Sequence, residues 1–292
     1  MRSFSPLWMA IGSALVFVGC SPTGSSLNGE APALGVPLLG DQGKGNDGQQ
    51  LVANALHQFC QSQRCDFGLL LGDNFYNSGV KNVHDKKFQT HFEIPYGKMG
   101  ILWWAALGNH DYGFGWSRGN VNAQVEYTLL SKYWRMPSRF YTFEASGIEF
   151  IFIDTVALEK DENQQKWLNE KLAAQTEKTR VVVGHYPIHS AGMHGDTTYL
   201  RDHWAPKFCG KVALYIAGHD HHLEHTRTDC GVELVVSGSG AESRAVTPTP
   251  RTKFAASALG FAYLTKEESG LMTVSYFDTN LTKLASFSVG AE

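Results

Sequence analysis

The chain has 292 residues, 43% of them hydrophobic and 18% charged, with a formal net charge of −3. Such a composition supports a sizeable core and carries no basic surplus, which argues against nucleic acid as a partner. Histidine is the unusual count at 12, and His219, His221, His222 and His225 crowd into one short stretch.

In chain order, residues 1–19 read as an export signal of the lipoprotein type. Arg2 gives a positive start, and residues 7–18 form an apolar stretch too short to span a membrane as a helix. The stretch ends at Phe17-Val18-Gly19-Cys20, which resembles a bacterial lipobox. Cys20 would then carry the lipid, and residues 20–33, rich in Ser, Thr, Gly, Asn and Pro, form a flexible tether. The expectation is an exported, monomeric protein of the cell envelope, held to the membrane through Cys20. Residues 34–292 are expected to form one domain. Cys60, Cys65, Cys209 and Cys230 remain, and an even set in an exported chain predicts disulfides. Three pairings are open, of which the local pairs Cys60–Cys65 and Cys209–Cys230 are the simplest.

Five short apolar runs, at residues 36–39, 67–71, 102–107, 181–183 and 212–217, lack period-2 alternation and so read as strands buried on both faces. Each is followed by Gly and a ligand-type residue: Gly40-Asp41, Gly72-Asp73, Gly108-Asn109-His110-Asp111, Gly184-His185 and Gly218-His219-Asp220-His221. Strand ends of this kind converge on one edge of an open sheet, where ligands gather. Helical patterns occupy residues 49–61, 85–94, 122–134 and 163–175. Residues 140–143 and 148–154 read as a hairpin about Ala145-Ser146-Gly147. Strands follow at 232–237, 261–264, 271–277 and 284–289. Strand–helix alternation followed by antiparallel strands predicts an α/β fold in which two packed mixed β-sheets are flanked by helices.

Residues 72–76, Gly72-Asp73-Asn74-Phe75-Tyr76, carry the most specific chemistry. A carboxylate is a common metal ligand, whereas a phenol, with a pKa of about 10, is deprotonated readily only by a strongly acidic metal such as ferric iron. His219 and His221, two apart, reach one side only from an extended or looped segment, as expected at a strand end.

Together, Gly72-Asp73-Asn74-Phe75-Tyr76, Gly108-Asn109-His110-Asp111, Gly184-His185-Tyr186-Pro187 and Gly218-His219-Asp220-His221 resemble the motif set of the calcineurin-like metallophosphoesterases. Many relatives carry Asp-x-His at the first motif, but here the residues are Asp41-Gln42-Gly43. Tyr76 stands in for that missing His, a pattern that resembles the small, single-domain purple acid phosphatases of the tartrate-resistant type. Gln42 departs from the Trp usual in that family.

The resemblance implies the four-layer αββα fold and two metal sites bridged by Asp73. Asp41, Asp73, Tyr76 and His221 would hold ferric iron. Asp73, Asn109, His185 and His219 would hold a divalent iron, zinc or manganese ion. It further implies hydrolysis of small phosphomonoesters at acidic pH by a metal-bound hydroxide. His110, with Asp111 able to orient it, and His194 would manage protons. A phosphodiesterase or nucleotidase with two divalent metals is the alternative on the same fold.

Overall fold

The structure, a computed structural model of the chain, describes residues 33–290. The expected signal, Cys20 and nearly all of the tether lie outside these residues. In chain order the strands are β1 Leu34–Leu39, β2 Phe67–Leu71, β3 Leu102–Ala106, the short β4 Gly113–Phe114 and β5 Ser117–Arg118, β6 Trp134–Arg135, β7 Tyr141–Ala145, β8 Ile148–Phe152, β9 Thr179–Val183, β10 Leu214–Ala217, β11 Leu223–Arg227, β12 Glu233–Ser237, β13 Phe254–Ala256, β14 Gly260–Lys266, β15 Met272–Asp278 and β16 Lys283–Val289. The α-helices are α1 Asp47–Ser62, α2 Ile94–Tyr96, α3 Asn109–Tyr112, α4 Val121–Tyr127, α5 Glu162–Ala173 and α6 Ala205–Phe208.

Two seven-stranded mixed sheets result. The first runs β16-β15-β14-β1-β2-β3-β6 and the second β13-β11-β12-β10-β9-β8-β7. The strands preceding the predicted ligands are parallel in both: β1, β2 and β3 pair in the first sheet, and β9 and β10 in the second. Their C-terminal ends therefore point the same way within each sheet, which gathers the ligand loops on one edge.

Alternation along buried strands builds the layers. On β8, Phe150 and Phe152 join the core between the sheets, while Ile151 faces the outer cluster with Leu168 and Leu172 of α5. Phe67 of the first sheet meets Phe143 and Phe150 of the second edge-on, with centroids 5.3 and 5.7 Å apart. On the other flank α1 starts where Asn46 accepts a hydrogen bond from Gln49 N at 2.9 Å. Its Phe59 packs on Phe261 and Tyr263. Helices thus cover both outer faces. The two disulfides are Cys60–Cys65 and Cys209–Cys230, the simplest of the open pairings.

Two helical readings shift. The pattern at 122–134 forms only α4, which ends at Tyr127. The Ser131 hydroxyl then accepts from the amides of Tyr133 and Trp134, which releases Trp134 to pair with Trp103 as a strand. The pattern at 85–94 becomes a wide-turned helix at Phe88–Glu93 that runs on into α2.

Candidate metal centre

Asp41 follows β1, Asp73 and Tyr76 follow β2, and Asn109 follows β3. His185 follows β9, and His219 and His221 follow β10. The oxygen donors thus come from the first sheet and the imidazoles from the second. Asp41, Asp73 and His219 sit in the left-handed region, with φ of 59°, 53° and 71°. Asp and His tolerate it better than most residues, but such strain persists only where surroundings impose it. Two glycines allow the close approach. A Cβ at Gly108 would stand 2.2 Å from Asp73 Oδ1, and one at Gly218 would stand 2.5 Å from Asp41 Oδ2.

The side chains meet in two groups. In one, the Tyr76 hydroxyl donates to Asp41 Oδ1 at 2.9 Å and lies 3.1 Å from His221 Nε2. His221 Nε2 is 3.5 Å from Asp41 Oδ1. In the other, His185 Nε2 lies 3.1 Å from Asn109 Oδ1 and 3.4 Å from Asp73 Oδ1, with the His219 ring 5.1 Å away between centroids. His185 Nδ1 faces the Leu71 carbonyl at 2.8 Å. A carbonyl only accepts, so Nδ1 carries a hydrogen and Nε2 is the nitrogen turned into the site, the usual orientation for a ligating imidazole.

The donor set fits a bound cation. Asp41, Asp73 and His185 each offer one ligand atom within 4.8 Å of the others, and all three are buried. Buried carboxylates at such a seam call for positive charge. Burial works to raise Asp73, yet the adjoining His185 and His110 hold its carboxyl well below the ordinary range. Burial would lower His185, but Asp73 and Asp41 lift it to about 9. His219 is pushed down to about 2 by burial and the neighbouring His185 and His194, which leaves a neutral imidazole free to ligate. Burial, then Asp41 and Asp73, drive the Tyr76 phenol far above its usual value, so only a strongly acidic cation at this point makes it a phenolate.

Over these groups opens a cavity of about 320 Å³. His110 and His194 both line it. His110 Nδ1 bonds to the Asn77 carbonyl at 2.7 Å, and its Nε2 lies 4.0 Å from Asp73 Oδ2. His194 is tied by its amide to Asp220 Oδ1 at 3.1 Å, and its ring lies 4.3 Å from that of His219.

Asp111 is placed differently from the sequence expectation. It is adjacent to His110, but successive residues of α3 diverge around the helix axis. Its fully buried carboxylate accepts from the amides of Gly108, Asn74 and Phe75 and from the Asn74 side chain, at 2.9–3.2 Å. Burial and the Asp73 charge push it up to about 7. Asp111 therefore braces the ligand loops, and the orienting partner of His110 is the Asn77 carbonyl. Asn74 joins the brace through Ala106 O and Gln124 Oε1. Gln42, where the family usually has Trp, donates to Asn74 Oδ1 at 3.2 Å and so serves the same brace.

Of the aromatic run after this loop, Tyr112 donates to Asp154. Phe114, on the β4–β5 hairpin, stacks beside His110 with centroids 5.2 Å apart and lines the cavity. Trp116 at the hairpin tip is fully exposed. His222 and His225 turn away, to Glu224 and Glu233.

Sequence reasoning missed Lys44 and Glu242. Lys44 lines the cavity with Arg244, and both contact Glu242. Lys44 stands close to Asp41 in sequence, but Glu242 is separated from it by 198 positions, and no local pattern links the two.

Residues 38–223 match the calcineurin-like phosphoesterase family. Tartrate-resistant acid phosphatase type 5 of Homo sapiens is 32% identical over 266 residues, covering 80% of each chain. Purple acid phosphatase 7 of Arabidopsis thaliana is 34% identical over 233 residues, covering 70% of each. Among solved structures, GAP50, the anchor in the inner membrane complex of Plasmodium, superposes with a TM-score of 0.76 at 26% identity over 89% of each chain.

Proposed function

The chain belongs to the calcineurin-like phosphoesterase family and is a phosphoester hydrolase of the acid phosphatase kind; on that premise we propose that it removes phosphate from small phosphomonoesters at acidic pH, using ferric iron and a divalent ion. Asp41, Asp73, Tyr76 and His221 would hold the ferric ion. Asp73, Asn109, His185 and His219 would hold divalent iron, zinc or manganese. The observation that carries the ferric assignment is the buried Tyr76 hydroxyl, poised between Asp41 and His221. Hard oxygen donors with a phenolate suit ferric iron, and the imidazole-rich second set suits a softer divalent ion.

When bound, the metal pair supplies the charge that draws a phosphate dianion and activates the water that attacks phosphorus. The protein's own groups manage the proton. His110 is oriented by Asn77 O so that Nε2 faces the site, and His194 stands over His219. Either imidazolium can protonate the leaving alkoxide or hold a phosphate oxygen. The same reading makes the protein an exported, monomeric lipoprotein held in the cell envelope through Cys20. Its two disulfides agree with an oxidising compartment.

The test is the purified protein's visible spectrum and metal content, read with rates on p-nitrophenyl phosphate and its bis-ester. A broad purple to pink absorption and faster monoester hydrolysis are expected. A colourless, fully active protein with two divalent ions would sink the ferric assignment, and a preference for the bis-ester would favour the phosphodiesterase alternative. A folded protein inert on both esters would favour an anchoring role like that of the Plasmodium relative.

A further inference from the structure

The cavity wall beside Tyr76 has a composition that monoester hydrolysis alone does not require. Lys44 and Arg244 are the two Lys or Arg side chains that line the cavity among the described residues. Lys44 Nζ sits 4.9 Å from the centre of the Tyr76 ring and forms an ion pair with Glu242. Arg244 Nε lies 3.4 Å from Glu242 Oε1, and its Nη1 reaches the Met193 sulfur, a weak acceptor. The Arg244 amide donates to His221 O at 2.7 Å, which fixes this segment against the metal loop. Lys44 arrives from the first-sheet side and Glu242 and Arg244 from the second. One carboxylate thus holds two cations across the seam, and the wall keeps a surplus positive charge. Both cations are partly exposed, at 21% and 34% of the side chain, so a ligand can reach them.

We propose, building on the phosphatase reading above, that Lys44 and Arg244, held by Glu242, form a subsite for a second phosphate on the substrate. The preferred substrates are then small molecules bearing two phosphomonoesters, one cleaved and the other gripped by the wall. The reaction is unchanged in kind. The oxygen of water bonds to the scissile phosphorus, that phosphorus releases its alkoxy oxygen, and the oxygen leaves as an alcohol after taking a proton.

The probes are 1,4-butanediol bisphosphate, whose two phosphates are equivalent, and 4-hydroxybutyl phosphate, which differs only by lacking the second phosphate. The readout is the ratio of their kcat/KM values in wild type, Lys44→Gln and Arg244→Gln. The wild-type ratio should exceed the statistical factor of two by about five- to tenfold, the combined size of two partly exposed ion pairs. It should also shrink with added salt as that attraction is screened. Each variant should lower the ratio by about two- to threefold, and the double variant should bring it to about two. A general defect in folding or metal loading would slow both probes alike and leave the ratio standing. Active wild type with a ratio near two, or a ratio that neither variant moves, overturns the subsite while sparing the phosphatase reading. A wild type that hydrolyses neither probe nor p-nitrophenyl phosphate overturns both.

Discussion

The two sheets contribute unequally to the candidate metal centre, and the inequality goes beyond ligand type. The oxygen-donor half is stitched within itself. Asp41 N donates to Gly72 O, Gly43 N to Asp73 O and Tyr76 N to Gly43 O, while Asp111 gathers the amides of the loops after β2 and β3. The imidazole half leans on its neighbour. His185 is oriented by Leu71 O, and the His219 amide donates to Asp41 Oδ2 at 2.7 Å. His221 contacts Tyr76 and Asp41. One sheet builds a cradle of negative charge, and the other brings imidazoles that take their positions from that cradle. A metal pair across this seam would tie the two sheets together.

The strongest way to break this picture is Asp73→Asn. Asp73 is the one donor assigned to both metals, so kcat/KM should fall by about a thousandfold or more, with both metals lost on elemental analysis. A full metal complement with near-normal activity would refute the bridging role. Next comes the brace. In metal-free protein, Asp111→Ala leaves several buried amides without an acceptor and should cost about 3 kcal/mol in urea unfolding. Ser190→Ala, which removes the 2.5 Å hydrogen bond to Asp220 in the imidazole half, should cost only about 1 kcal/mol. The reverse order would mean that the second half is the self-supporting one. His110→Gln or His194→Gln should lower kcat by about a hundredfold on an alkyl phosphate, whose leaving alkoxide needs a proton, and by less on p-nitrophenyl phosphate, while metal content and colour persist. Equal losses on the two esters would remove that residue from proton handling. A smaller kinetic effect, about tenfold, is expected for Tyr76→Phe, together with disappearance of the visible absorption. Persistence of the colour would show that the phenolate is not its source.

How much of this could be read from the sequence depended on where each signal lies. β1, β2, β3, β9 and β10 declared themselves because parallel strands buried on both faces are uninterrupted apolar runs. The Gly at each end marked where the chain turns into the site. α1 and α5 showed through their apolar periodicity. β11 escaped notice because it carries Glu224 and Thr226 into the interior, where Glu224 is satisfied by His222, the Ala191 amide and Thr252. Buried polar residues with remote partners look like surface in a one-dimensional reading. Asp111 misled for a related reason, since adjacency in the chain suggested a contact that helical geometry forbids. The Lys44–Glu242 pair exists only once the two sheets are assembled.

The β4–β5 hairpin has one further consequence. Trp103, Trp134 and Trp204 are buried, and Trp104 and Trp167 are half-buried. Among the described residues, Trp116 alone presents its indole wholly to water, two residues from the Phe114 that borders the cavity. Among the described tryptophans, a collisional quencher such as iodide will meet this indole first. The hairpin that borders the site therefore carries a native fluorophore, and its motion can be followed by emission without attaching a label.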